Sequence, residues 1–481
     1  MKRLAFYLLA LVVFGGGLWF ALSRGADLLA PLNAESGTAA DAAKGGSHAA
    51  VEPSASLFDS IRAHLQDPLS RLFIQLILIV AFARLCGAVA TKCGQPAVIG
   101  EIVAGLMLGP SLVGLLWPEF LAAAFPASSL GSLRLFSQVG VCLFMFVVGI
   151  DLDVAHLRHQ ARTAVLVSQV SIIFPFLLGV FLALPLYSEF AGPKASFHVF
   201  ALFLGIAMSI TAFPVLARIL EERRLTHTPL GGTALVCAAT DDVTAWSLLA
   251  VVAAMAQAHS VAGAVFSIGL VVLFVAVMLL WIKPRLPRWI ARVDFDGASG
   301  GRTFLAATMI FVCASALATD LMGIHAIFGA FLAGVVMPRQ GPLRNFLKLR
   351  LEQFSSVFLL PVFFAFTGLR TQLGLLAEPS DWLICGAIIF LATLGKLGGA
   401  MFTARFTGAT WSDSFSLGAL MNTRGLVELV ALNIGYDLGI ISPRIFAMLV
   451  IMALVTTAMT GPLLTLVEAR RLKKSATACP A

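Results

Sequence analysis

Charge is what this sequence has least of. Of 481 residues, 12% are charged and 59% hydrophobic, whereas soluble domains carry roughly 25% charged and about 45–50% apolar residues. That deficit excludes a water-soluble globular fold. Tyrosine is scarce as well, three against 37 Phe, which leaves most aromatics to face lipid or to pack. The seven cysteines (Cys86, Cys93, Cys142, Cys237, Cys313, Cys385, Cys479) contain no CxxC spacing. A disulfide framework, a zinc site and an iron–sulfur cluster are therefore not expected. Nor is there a GxxxxGK run followed by Ser or Thr for ATP, or an HExxH for zinc, so ATP-driven work on this chain is not expected.

What is present is apolar sequence in runs of about 20 residues, the length that crosses a hydrocarbon core of roughly 30 Å. The reading is an all-α polytopic membrane protein. Residues 1–22 have a basic start and a short apolar stretch, which predicts a signal peptide or a signal anchor. Residues 23–68 hold mostly Ala, Gly, Ser and charge, too little apolar surface to fold alone, and read as an exported flexible linker. About thirteen transmembrane helices are predicted in residues 69–467, near 69–89, 97–116, 132–150, 161–186, 197–219, 229–256, 260–282, 303–320, 323–337, 354–376, 382–404, 412–435 and 443–467. They are called the first to thirteenth spans below. Residues 468–481 read as a short cytoplasmic tail.

The net charge of +8 is a topology signal rather than a nucleic-acid footprint. With residue 69 outside, the inner loops and tail hold 21 Lys and Arg and the opposite short loops only Arg134, Lys194, Arg370 and Arg444. Lys and Arg accumulate on the cytoplasmic side, so the C-terminus is expected inside. Thirteen spans also allow the first six and last six to run in opposite directions, the inverted-repeat plan of many secondary transporters. Helix-breaking runs fall at corresponding places. The fifth span carries Thr211-Ala212-Phe213-Pro214 and the twelfth carries Asn422-Thr423-Arg424-Gly425.

Ionisable residues within such spans mark ion and proton paths. Asp241 and Asp242 fall in the middle of the sixth span, Lys396 in the eleventh, Arg424 and Glu428 one turn apart in the twelfth, and Glu101 near the start of the second. Each Asp at a helix centre costs about 2.5–3.5 kcal/mol on insertion. One lysine cannot neutralise two carboxylates. The acid left over can hold a proton or a monovalent cation, but not both at once, and that exclusion is sufficient to couple the two flows. Arg424 and Glu428 read first as a structural pair at i,i+4 spacing. Unwound backbone offers carbonyl oxygens at mid-membrane, and Thr211, Thr240 and Asn422 are candidate neutral oxygen ligands beside Asp242.

Several long motifs, in order, resemble the monovalent cation:proton antiporter-2 family, which includes bacterial sodium/proton antiporters, potassium efflux systems and plant cation/proton exchangers. They are Gln95-Pro96-Ala97-Val98-Ile99-Gly100-Glu101-Ile102 with Leu108-Gly109-Pro110-Ser111-Leu112, Ser209-Ile210-Thr211-Ala212-Phe213-Pro214, Asp241-Asp242-Val243-Thr244-Ala245-Trp246, and Asn422-Thr423-Arg424-Gly425-Leu426-Val427-Glu428. The resemblance covers about residues 69–467. It implies a homodimer in a bacterial-type plasma membrane, with two crossed, unwound helices in a mobile core. It implies that Asp242 carries the ion and the proton, and that Asp241 pairs with Lys396. It favours sodium over potassium as the exchanged cation, with no cofactor. The nucleotide-binding domain of the potassium efflux branch is not expected on this chain, and the 23–68 linker is not part of the family pattern.

Two other classes fit less well. A potassium channel needs a TVGYG-type filter, and Val148-Gly149-Ile150-Asp151 is too short a similarity. An intramembrane aspartyl protease needs aspartates on two neighbouring helices to share a proton. Asp241 and Asp242 are adjacent on one helix, about 100° apart, and no GxGD run exists to partner them or Asp437.

Overall fold

Backbone in hydrocarbon must satisfy its own hydrogen bonds, so a chain this apolar can cross only as helices or a closed barrel. The computed structural model takes the helical solution. It describes residues 67–151, 161–193, 195–226, 228–257, 261–290, 300–322, 325–338 and 342–477. Among these there is no strand, only an isolated bridge between Ala191 and Ile441. Residues 72–481 make one compact unit, and of residues 1–71 only the start of the first helix is described. The predicted signal or anchor segment lies outside the described residues, as does nearly all of the predicted linker.

Eleven described helices are long and apolar enough to cross a membrane, and the pair Trp411–Met421 and Leu426–Asp437, bent by 40° at its break, makes a twelfth. The ninth predicted span departs from expectation. Its helix, Ala326–Val335, has ten residues, about 15 Å, half a hydrocarbon core. The apolar run continues to Met337, but Pro338 follows, and the residue before a proline is pushed out of helical geometry. The last helix instead overruns its predicted end, as Pro443–Thr477 continues into the expected tail.

Helix starts follow local chemistry. Pro occupies the first position of Pro68–Lys92, Pro229–Gln257, Pro379–Thr393 and Pro443–Thr477, where its missing N–H is not needed. Ser196 Oγ and Thr410 Oγ1 accept hydrogen bonds from Val199 N and Asp413 N at the starts of the fifth and twelfth spans.

The helices also disclose a repeat that the hydropathy pattern did not. Residues 97–105 (AVIGEIVAG) and 326–334 (AIFGAFLAG) carry Ala, Gly, Ala, Gly at the same four positions. Gly100 lies against the backbone of Cys86 in the first span, and Gly329 against that of Ser315 in the eighth. Gly105 packs on Phe364 and Gly368 of the tenth span, and Gly334 on Phe146 and Gly149 of the third. A Cβ at any of the four would overlap backbone. Exchanging the two halves turns one set of contacts into the other. The third and tenth spans align Phe136-Ser137 with Phe354-Ser355, yet Gly149 with Gly368, one residue out of step. The π-helical turn Ser355–Leu359 lies between and absorbs the extra residue.

Candidate functional site

Two interruptions build the site. Pro214 lacks an N–H, and its ring would clash with the carbonyl of Ile210 in a continuous helix. The fifth span therefore stops at Ser209, runs extended through Ile210 and Ala212, and restarts at Phe213. In the twelfth span Gly425 takes φ 145° and ψ −125°, a conformation open in practice only to glycine. The two breaks touch. Ala212 N donates to Thr423 O at 3.0 Å, and Thr211 Oγ1 lies 3.0 Å from Met421 O.

Arg424 ties the breaks together. It is fully buried, and its guanidinium donates to Ala207 O at 2.7 Å and Met208 O at 2.5 Å. Those are carbonyls at the end of Phe197–Ser209 that the interruption deprives of helical partners. A cation there also complements the negative end of the helix dipole. Its Nη1 lies 3.3 Å from Glu428 Oε1, the i,i+4 pair that the sequence suggested. Thr457 accepts a hydrogen bond from Arg424 N at 3.0 Å, and Thr423 and Thr460 hydroxyls lie 3.2 Å apart. The thirteenth span thus holds the second break in place.

Asp241 is entirely enclosed and fully partnered. Lys396 Nζ lies 2.5 Å from Oδ2, Ser168 donates to Oδ1 at 2.6 Å, and Ser171 and Thr211 hydroxyls lie 3.4 Å and 2.8 Å from Oδ2. With a single hydrogen, Thr211 serves Asp241 or the Met421 carbonyl at any moment. Lys396 sits in a π-helical turn, Leu394–Gly398, a distortion often found at functional positions. Ser168 and Ser171, on the fourth span, escaped the sequence reading. Their i,i+3 spacing in an apolar helix was a weak signal, because serine in a membrane helix commonly bonds its own backbone.

Asp242 is the opposite case. It is also 0% exposed, yet neither carboxylate oxygen has a hydrogen-bond partner. Phe213 N–H, at the start of the helix after the first break, faces it without completing a hydrogen bond. Asn422, at the second break, is equally enclosed, and its amide oxygen and nitrogen are both unpartnered. Burying a bare carboxylate costs several kcal/mol.

Two of the candidate neutral ligands direct their hydroxyl hydrogens away from Asp242. Thr211 serves Asp241 rather than Asp242. Thr240 donates to Val236 O at 2.9 Å on its own helix, the usual back-bond of threonine four residues on. Glu101 is 6% exposed, and its Cγ faces Gly87 of the first span; no contact joins it to the aspartates. Asp437, weighed above as a protease partner, pairs instead with Arg370 and Arg134. No group of three or more His, Cys, Asp or Glu among the described residues is arranged to hold a metal ion.

Known proteins resemble this chain over most of its length. The sequence model of a family described as "Sodium/hydrogen exchanger, transmembrane" matches residues 77–468. The Na(+)/H(+) antiporter NhaS4 of Synechocystis sp. is 44% identical over 389 residues, 81% of this chain and 95% of its own. Cation/H(+) antiporter 17 of Arabidopsis thaliana is 37% identical over 402 residues, and K(+)/H(+) antiporter 1 of Saccharomyces cerevisiae 35% over 412. Each of these matches covers 83% of this chain, but 48% and 47% of the plant and yeast proteins, so the chain spans about half of their length. The solved structure of the sodium proton antiporter MjNhaP1 from Methanocaldococcus jannaschii at pH 8 aligns with a TM-score of 0.57 over 82% of this chain and 96% of that one, at 15% identity. At that identity the likeness is one of fold.

Proposed function

The chain belongs to the sodium/hydrogen exchanger family of membrane transporters, and from that premise we propose that it exchanges a monovalent cation, sodium in preference to potassium, for protons by alternating access. The observation that carries this reading is the inequality of two adjacent acids. Asp241 is paired with a lysine and reached by three hydroxyls, while neither oxygen of Asp242 has a hydrogen-bond partner. Asp242 is the carrier. It holds a proton or a cation by turns, because a second positive charge on one neutralised carboxylate gains little.

Asn422 offers a neutral oxygen to the cation. The crossing breaks supply unwound backbone beside it, tolerated because protein covers them on every side. Lys396 and Asp241 form the pair that makes and breaks with the transport state. When the pair opens, an extra charge moves with the cycle, which makes the exchange sensitive to voltage. The charge distribution of the loops supports a cytoplasmic C-terminus in a plasma membrane, and the family resemblance supports a homodimer.

Purified protein in liposomes carrying a preformed pH gradient tests the reading. Added sodium should dissipate the gradient, with potassium and lithium titrated in turn. Asp242→Asn should abolish the response to every cation. Retained exchange in a folded Asp242→Asn protein overturns the assignment.

A further inference from the structure

The half-helix Leu426–Asp437 begins at the second break and leads away from the site. Val430, Asn433, Ile434 and Asp437 recur along it at positions i, i+3, i+4 and i+7, which lie on one face. That face, with Ser137 of the third span and Arg370 of the tenth, lines a cavity of about 20 Å³, room for roughly one water. By the loop-charge assignment this end of the bundle faces outward.

Charged side chains rim the cavity. Arg370 Nη2 pairs with Asp437 Oδ1, and Arg134 Nη2 lies 3.1 Å from Oδ2. Arg370 Nη1 also donates to Asn433 Oδ1 at 3.0 Å, and its guanidinium stacks over Phe366 and Tyr436 at 5.0 and 4.6 Å. Asn433 in turn donates to Thr367 Oγ1 at 2.9 Å. Exposure falls steeply across this cluster. Arg134 is 46% exposed and Arg370 17%, whereas Ser137, one turn beyond Arg134, is 1% exposed. Two cations on one carboxylate leave a net positive charge at the mouth, which repels an arriving cation while the contacts hold.

We propose that Arg370, Arg134 and Asp437 form the outer latch of the cation path, closed in this structure and opened when the twelfth span moves against the third and tenth. The proposal rests on the alternating-access reading, since only then must the path toward Asp242 open on this side. A cluster of charges suits a reversible closure. Partly exposed ion pairs are individually weak and their partners are rehydrated on opening, whereas an apolar seal would have to be separated at full hydrophobic cost. When the arginines leave, Asp437 is freed as the first carboxylate an incoming cation meets.

The test reads the mouth, not transport. Ser137→Cys in the full-length protein, in right-side-out vesicles, reports opening through its rate of reaction with a membrane-impermeant thiol reagent, measured above the background of the seven native cysteines. Adding Asp437→Asn should raise that rate about tenfold, as losing a charge-assisted contact of roughly 1.5 kcal/mol does to an opening equilibrium. Arg370→Gln should do the same, whereas Arg370→Lys, which keeps the charge, should stay closer to the slow rate. Unchanged labelling in folded Asp437→Asn or Arg370→Gln protein overturns the latch, as does labelling of the Arg370→Lys protein as fast as that of Arg370→Gln. Because labelling needs no ion exchange, its failure leaves the role of Asp242 standing, and loss of that role leaves the labelling result standing.

Discussion

Lys396 Nζ lies 2.5 Å from Asp241 Oδ2, while Asp242, the next residue, has no hydrogen-bond partner on either oxygen. Successive residues on a helix point about 100° apart. Asp241 therefore meets the fourth and eleventh spans and the Thr211 hydroxyl of the first break, while Asp242 faces the Phe213 N–H just beyond that break.

The first expectation concerns the unpartnered acid. Asp242→Asn removes the exchangeable charge while keeping shape, and it relieves an uncompensated carboxylate. Cation-driven dissipation of a pH gradient should vanish, while thermal stability in detergent stays the same or rises. A fall in stability together with surviving exchange would assign Asp242 a structural role.

Lys396→Ala strands Asp241 in a dry interior. Breaking a buried pair costs about 3–5 kcal/mol, so a large drop in unfolding temperature is expected. Asp241→Asn in the same chain should restore most of it. Exchange that survives in the double variant should lose its dependence on membrane voltage, measured with potassium and valinomycin. Voltage dependence equal to the parent's would remove Lys396 from the charge-moving step.

Asn422→Ala deletes the second orphaned polar group at the crossing. If its oxygen coordinates the cation, the apparent KM for sodium should rise about tenfold, a loss of roughly 1.4 kcal/mol. The pH dependence should move little, because Asn422 does not titrate. An unchanged KM would exclude it as a ligand.

Arg424→Gln withdraws charge from two helix-end carbonyls and leaves Glu428 without its partner. Destabilisation of about 3–5 kcal/mol is expected from the buried ion pair alone. Arg424→Lys should recover only part of it, since an ammonium cannot reach Ala207 O, Met208 O and Glu428 with the planar fork of a guanidinium. Thermal unfolding of the three proteins side by side decides this.

Much of the protein was legible in its sequence. Composition and apolar runs of membrane length determined the all-helical class, because hydrocarbon leaves the backbone only helix or closed barrel and runs of about 20 residues fit the helix. Pro214 and Gly425 marked both breaks, and Asp241, Asp242 and Lys396 stood out because charge is costly where they lie. The paired four-position pattern beginning at Ala97 and Ala326 was there to be read, but hydropathy averages glycine and alanine away. Tertiary structure alone decided that Thr211 serves Asp241, that Thr240 turns back on its own helix, and that Arg424 caps a helix end more than two hundred residues earlier in the chain. Those outcomes depend on the rotation of each helix about its axis and on close approach through glycines. Sequence spacing fixes which residues share a helix face; it does not fix which neighbour that face meets.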